Sequence, residues 1–309
     1  MRRGLPFLIV VFLLLPQGVF AAVTLIPGVS VRFAGIREGK GVLEAWDDYA
    51  RSLNGFDAAV RMRTTAPVTA ADYLRFAGES VRGWTPAERK RLARVIREVR
   101  PHLSGYSLPL PSTVLLVKTD GREEAGAPYT RLNAVILPAG VLKKKPAELR
   151  HILVHELFHV LSRHNPELRD RLYAVIGFRR CEVRLPEELV RLRISNPDHP
   201  QYLHAVELEL PGGKGEAVPV LLSRYPEFDP RIPGNFFDYM KFCLLVVERR
   251  GESCLPVERA GRPLLLEPEA VPAYRERVGW NTDYINSAEE ALADNFVVLV
   301  LGRKDIPSP

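Results

Sequence analysis

His155, Glu156 and His159 form an H-E-x-x-H motif inside an apolar, helix-favouring segment. Residues four apart on an α-helix share one face and lie one turn apart, so the two imidazoles can grip a single metal ion. Glu156 projects beside them, where a carboxylate can take a proton from a water acidified by the metal. Ile152, Leu153 and Val154 precede the motif, Leu157 and Phe158 fill it, and Val160 and Leu161 follow. Uncharged neighbours are what a buried metal-binding helix requires, because a charge there would have to be stripped of water.

Two histidines do not complete a catalytic zinc site, which has three protein ligands and an open position. His151 stands on the same face but eight residues from His159, ~12 Å of helical rise and too far to share one ion, so it reads as a packed or surface histidine. His164 follows His159 too closely, and Asn165 occupies the place of the third histidine in the longer H-E-x-x-H-x-x-G-x-x-H pattern. His204 shares the apolar face of a predicted strand with Val206 and Leu208 and reads as a core histidine. That leaves the stretch Ser287 to Asp294, which sets Glu290 and Asp294 four apart on an otherwise apolar helix. Ser287 and Glu290 also fit a capping box, and acids are favoured in a first turn, which accounts for Glu289 and Glu290 without a metal. Asp294 sits deeper in the helix, and a buried carboxylate there needs a partner such as a metal-bound imidazole.

With these two motifs the chain resembles the gluzincin zinc metallopeptidases, the thermolysin-like group that pairs H-E-x-x-H with E-x-x-x-D on a downstream helix. The resemblance implies an α+β fold with a zincin-like metallopeptidase core and one zinc ion (Zn2+) per chain. It makes His155, His159 and Glu290 the ligands, and Asp294 the carboxylate that orients a ligand histidine, expected to be His155. Glu156 would be the general base in peptide-bond hydrolysis, and the substrate a peptide or protein. Tyr284, shortly before Glu290, is the candidate transition-state helper; a buried structural tyrosine is the alternative. The resemblance covers the two motifs and the strands before the first. Between His159 and Glu290 lie 131 positions (290 − 159), a longer interval than in thermolysin. Two other readings stand beside it: a non-catalytic exported binding or scaffold protein with an accidental or degenerate motif, and a zinc amidase acting on cell-wall peptides.

The elements that must position these side chains follow from the pattern around them. A strand over Ser112 to Lys118 and a second over Leu132 to Leu137 precede the motif helix, which Pro146 opens and Asn165-Pro166 ends, with another helix to about Phe178. The second strand is expected to offer an edge for an extended peptide. Residues 22–110 read as a mainly helical N-terminal region, with helical periodicity over Leu43 to Arg61 and a capping box at Thr85 to Glu88. Residues 111–309 would form the catalytic domain, with a β-rich insertion at about 194–235 marked by a hairpin pattern from Leu203 to Ser223. Asn235 is expected to cap a helix running to Gly251, with Cys243 inside it as a core thiol, and a last helix starts at Ser287. Cys181 and Cys254, in polar, loop-like surroundings, could form one disulfide in an oxidising compartment.

Residues 1–21 have the composition of an export signal: Arg2 and Arg3, an apolar run from Leu5 to Leu15, and a small-residue cleavage pattern at Ala21. The expected location is therefore periplasmic or extracellular, with no transmembrane segment in the mature chain. At 309 residues, 46% hydrophobic and 26% charged, the chain has a globular composition rather than a disordered one. Its net charge of +6 is spread without a basic, aromatic-interleaved stripe, which argues against nucleic acid as a partner.

Overall fold

Strands that are apolar at successive positions need cover on both faces, and the first sheet is built around two of them. In the computed structural model, which describes residues 22–304 and 306–308, these are β4 and β6. The expected export signal lies outside the described residues. The chain opens with strands β1 (Val23–Ile26) and β2 (Val29–Phe33), followed by helices α1 (Ile36–Leu43), α2 (Asp48–Ser52), α3 (Gly55–Met62) and α4 (Ala70–Glu79). Strand β3 (Val81–Arg82) and helix α5 (Pro86–Leu103) lead to β4 (Thr113–Thr119), β5 (Tyr129–Arg131) and β6 (Ala134–Pro138). Strand order is β1-β2-β4-β6-β5, with β2, β4 and β6 parallel and β5 antiparallel to β6. Alternate residues of the central strands go to opposite layers. Leu115, Val117, Ala134 and Ile136 pack with Leu43, Tyr49 and Leu74 of the early helices. Val114, Leu116, Val135 and Leu137 pack instead with Ile96 and Val99 of α5 and with the motif helix.

That helix, α6, spans Pro146–His164, with proline at its start and a Glu148 side chain returning to the Lys145 N–H. Leu149, Leu153, Leu157 and Val160 form the stripe it buries on the sheet. Helix α7 (Pro166–Val175), strands β7 (Phe178–Arg180) and β8 (Glu182–Val183) and helix α8 (Glu187–Leu192) follow. A second sheet, ordered β7-β9-β10-β11-β12-β8, adds β9 (His204–Leu210), β10 (Gly213–Ser223), β11 (Met240–Arg250) and β12 (Ser253–Pro256). Helices α9 (Pro272–Val278) and α10 (Ala288–Val300) complete the chain, and α10 returns to pack on α6 through Val297 and Val300. The architecture is mixed α+β. Among the described residues no helix is long and apolar enough to cross a membrane.

Several expectations need correction. The N-terminal region is mainly helical as expected, but it is not a separate unit: β1, β2 and β3 belong to the first sheet, and β2 pairs with β4 across the expected boundary at residue 110. Asp47 and Asn54, each accepting from a backbone N–H three residues on, break Leu43 to Arg61 into separate short helices. The hairpin is present as β9 and β10, but its sheet draws on strands from Phe178 to Leu266, well outside 194–235. Asn235 caps only a single 3-10 turn, Phe236–Tyr239, and Cys243 then lies buried on strand β11 rather than in a helix. Strand β6 is not an edge, because β5 pairs along its outer side. Cys181 and Cys254 form a disulfide, with Cα atoms 5.7 Å apart.

Candidate metal centre

Once α6 has buried its leucine stripe, the opposite side of the same helix presents His155, Glu156 and His159 to α10. The first turns of α10 carry Glu289, Glu290 and Asp294. Ser287 caps that helix by accepting from the Glu290 N–H, while the Glu290 side chain turns away toward the histidines. One Glu290 oxygen, Oε2, lies 3.2 Å from His155 Nε2 and 3.4 Å from His159 Nε2. Ligand-type atoms of the three residues all fall within 4.8 Å of one another. Atoms ~2.0–2.1 Å from a tetrahedral ion stand roughly 3.3 Å apart, so this spacing suits zinc.

The far side of each ring is also occupied. His155 Nδ1 is 2.9 Å from Asp294 Oδ1, and His159 Nδ1 is 2.8 Å from Glu289 Oε1. A carboxylate only accepts, so each Nδ1 carries a proton, and each Nε2 faces the centre, where giving up its own proton would free a lone pair for a cation. Among the described residues, buried His159 Nε2 and Glu156 Oε2 have no hydrogen-bond partner. Buried polar atoms are almost always paired, and two orphans at one point fit a missing ligand. The donor set, two imidazoles and a carboxylate, therefore fits a divalent cation.

The electrostatics agree. Burial opposes a charge on His155, but hydrogen bonds to Asp294 and Glu290 outweigh it and raise its pKa to about 10. For His159, burial is likewise overcome by Asp198 and Glu290, and its pKa is raised. Burial works against charge on Glu290 too, yet His159 and His155 hold it well below the usual carboxylate range. Glu156 has no such compensation: burial, with the Asp198 charge next, pushes it up to about 8. In the metal-free protein the imidazoles thus hold protons where a cation would sit. Zinc loading at neutral pH is expected to release protons, with affinity rising as pH rises toward 10. Calorimetry in buffers of different ionisation enthalpy measures that release.

Each expected site residue has a defined place. His155, His159 and Glu290 are brought together, Glu156 is 2% exposed beside them, and Asp294 holds His155, itself held by the Thr282 hydroxyl. Tyr284 is half-exposed, its ring stacked on His155 with centroids 6.2 Å apart, so it is a rim residue rather than a buried structural one. His151 approaches Asp294 at 3.4 Å and accepts from Arg303. It belongs, with His155 and Asp294, to a second ligand-type group that shares only His155 with the first. His164 bonds to the Val160 carbonyl, and His204 is buried against Asp170.

Three residues were not anticipated. Glu289 holds His159 and also accepts from Ser162 and from the buried Tyr173 hydroxyl. Asn196 donates to Glu290 Oε1 at 2.6 Å. Asp198 approaches Glu156 and His159. Glu289 was legible only as a first-turn acid, because Tyr173 is 116 positions away. Replacing Glu289 by glutamine should weaken zinc affinity ~10–100-fold, measured by competition with a chelator of known affinity. Neither a protein-family model, nor a curated protein, nor a solved structure matches the chain.

Proposed function

We propose that the protein is an exported, zinc-dependent metallopeptidase of the gluzincin kind. The observation that carries this reading is Glu290 Oε2 lying against both Nε2 atoms, while Asp294 and Glu289 hold the two Nδ1 atoms. His155, His159 and Glu290 would hold the ion. When bound, zinc supplies Lewis acidity, which lowers the pKa of water and polarises a carbonyl.

The rest of the chemistry falls to the chain. Glu156, buried with one oxygen unpartnered, takes a proton from the attacking water and returns it to the leaving amine. Asp294 and Glu289 keep the imidazoles in one tautomer and orientation. Tyr284, at the rim with its ring stacked on His155, would be the donor toward charge developing on the substrate oxygen. A metal site of purely structural use gives no reason for burying an unpaired Glu156 oxygen beside it, which favours the enzyme over a scaffold. We place the activity outside the cytoplasm. The composition of residues 1–21 and the Cys181–Cys254 bridge, a bond that persists in oxidising compartments, support that placement.

The test is metal analysis joined to activity. Purified protein should carry one zinc per chain and cleave a mixed peptide library; a chelator should stop cleavage and added zinc restore it. His159→Ala should bind none. Cleavage that survives complete metal removal would sink the reading.

A further inference from the structure

The edge of the first sheet beside the centre is strand β5, and its middle residue, the buried Thr130, turns its backbone N–H and carbonyl away from β6. Both of its backbone groups are already taken. The Thr130 N–H donates to Asp198 Oδ1 at 2.8 Å, and Arg163 Nη2 donates to the Thr130 carbonyl at 3.5 Å. An extended peptide adds to a sheet through such groups, so it finds no ladder there. The segment that closes the edge is held firmly. Asn196 reaches Glu290, Arg163 bonds to the Pro197 carbonyl, and Asp57 and Arg61 grip the Ser195 N–H and carbonyl.

The closure brings a carboxylate into the cleft. Asp198 has only 7% of its side chain exposed. Its hydrogen bonds from the Thr130 N–H and hydroxyl both fall on Oδ1, so Oδ2 is the oxygen left for a ligand. Arg163 approaches Oδ1 at 3.7 Å. A nearly buried carboxylate beside Glu156 and Glu290 calls for a further positive charge. Resting on the hydrolase reading, we infer that Asp198 receives the protonated α-amino group of the substrate, so that the enzyme removes residues from free peptide N-termini.

Distance selects this amine over others. A ligand-type oxygen of Asp198 lies within 4.8 Å of those of Glu156 and His159. An α-amino nitrogen is only ~2.5 Å from the carbonyl carbon of its own residue, two bonds away. A lysine ammonium stands several ångströms farther out, and a substrate carboxylate would meet like charge. Asp198 borders a small pocket of about 40 Å³ with Tyr129, Asn196, Phe237 and Tyr284 on one side, and a larger cleft of about 530 Å³ with Arg163, Arg169 and Tyr173 on another.

The experiment compares aminoacyl coumarin amides with free amines, the same compounds N-acetylated, and an internally quenched peptide, all with the zinc-loaded protein. Free-amine substrates should show kcat/KM on the order of 10²-fold above their acetylated forms, the worth of a buried charged hydrogen bond. Asp198→Asn should collapse that ratio to below about tenfold, chiefly through KM, with zinc still one per chain. Should the variant fold poorly, zinc-loaded Glu156→Gln supplies the same comparison by calorimetry, binding a free dipeptide amide more tightly than its acetylated form. Equal cleavage of acetylated or internal peptides, an unchanged ratio in Asp198→Asn, or a general rate increase in that variant overturns the inference and leaves the hydrolase intact. A zinc-loaded protein that cleaves none of these substrates removes both.

Discussion

Glu156→Gln should lower hydrolysis by ~10²–10⁴-fold while one zinc per chain remains bound, because it removes the proton acceptor and none of the ligands. Glutamine has the same shape and the same hydrogen-bonding reach, so the cleft keeps its form. The stability change has the opposite sign. The Glu156 carboxyl is raised from 4.5 to about 8 by burial and by Asp198, so the folded state resists its ionisation. The Glu156 contribution to the stability of the metal-free wild type is therefore lost as pH rises from the unfolded pKa toward 8, and the neutral variant lacks that loss. At neutral pH, metal-free Glu156→Gln should melt at or above the wild-type temperature while its loaded form is inactive. Calorimetric melting and steady-state kinetics on the same preparation separate loss of chemistry from loss of fold. An active variant would remove Glu156 from the mechanism.

The second large effect lies away from the centre. Arg61 is buried with Asp57 and Glu124, donates to the Ser195 carbonyl, and lies over the Phe236 ring with 4.4 Å to its centroid. Tyr49 and Tyr73 bond to the same Glu124 carboxylate. Arg61→Met leaves two buried carboxylates without their cation, a loss of about 3–5 kcal/mol. Denaturant unfolding should show it as a lowered midpoint with little change in slope. Arg61→Lys should recover little, because one ammonium cannot replace a planar fork that serves Asp57, Glu124 and a carbonyl together. Both variants should also raise KM at temperatures where they remain folded, since Ser195 leads directly into Asn196 and Asp198. A midpoint within 1 kcal/mol of wild type would show that the cluster is not the clamp described here.

What could be read from the chain, and what could not, divides along the range of the interactions. Helix α6, its proline start, the Ser287 cap and the β9–β10 hairpin are local patterns, each written in one continuous stretch of the chain. The stretch from Asn235 to Gly251 misled because Phe242 to Val247 is apolar throughout. Such a run suits a strand buried on both faces as well as a helix, and periodicity alone does not choose between them. Strands β1 and β2 had their signal in Pro27-Gly28, where Gly28 takes the positive φ of 81° that a tight turn can demand, but the preceding apolar run obscured it. Glu289, Asn196 and Asp198 were hidden for a different reason. Their meaning comes from contacts 68 to 130 positions distant, and no local rule encodes those.

The order of the elements along the chain has a temporal consequence. The H-E-x-x-H helix is made early, but the helix bearing Glu289, Glu290 and Asp294 is the last one in the described chain. A nascent or truncated polypeptide ending before Ala288 carries both histidines and the base, yet lacks the third ligand and both groups that orient the rings. On the proposed reading, competence therefore waits until the segment from Ser287 to Asp294 has been made and has packed against the motif helix, and copies that stop short of it would be inactive.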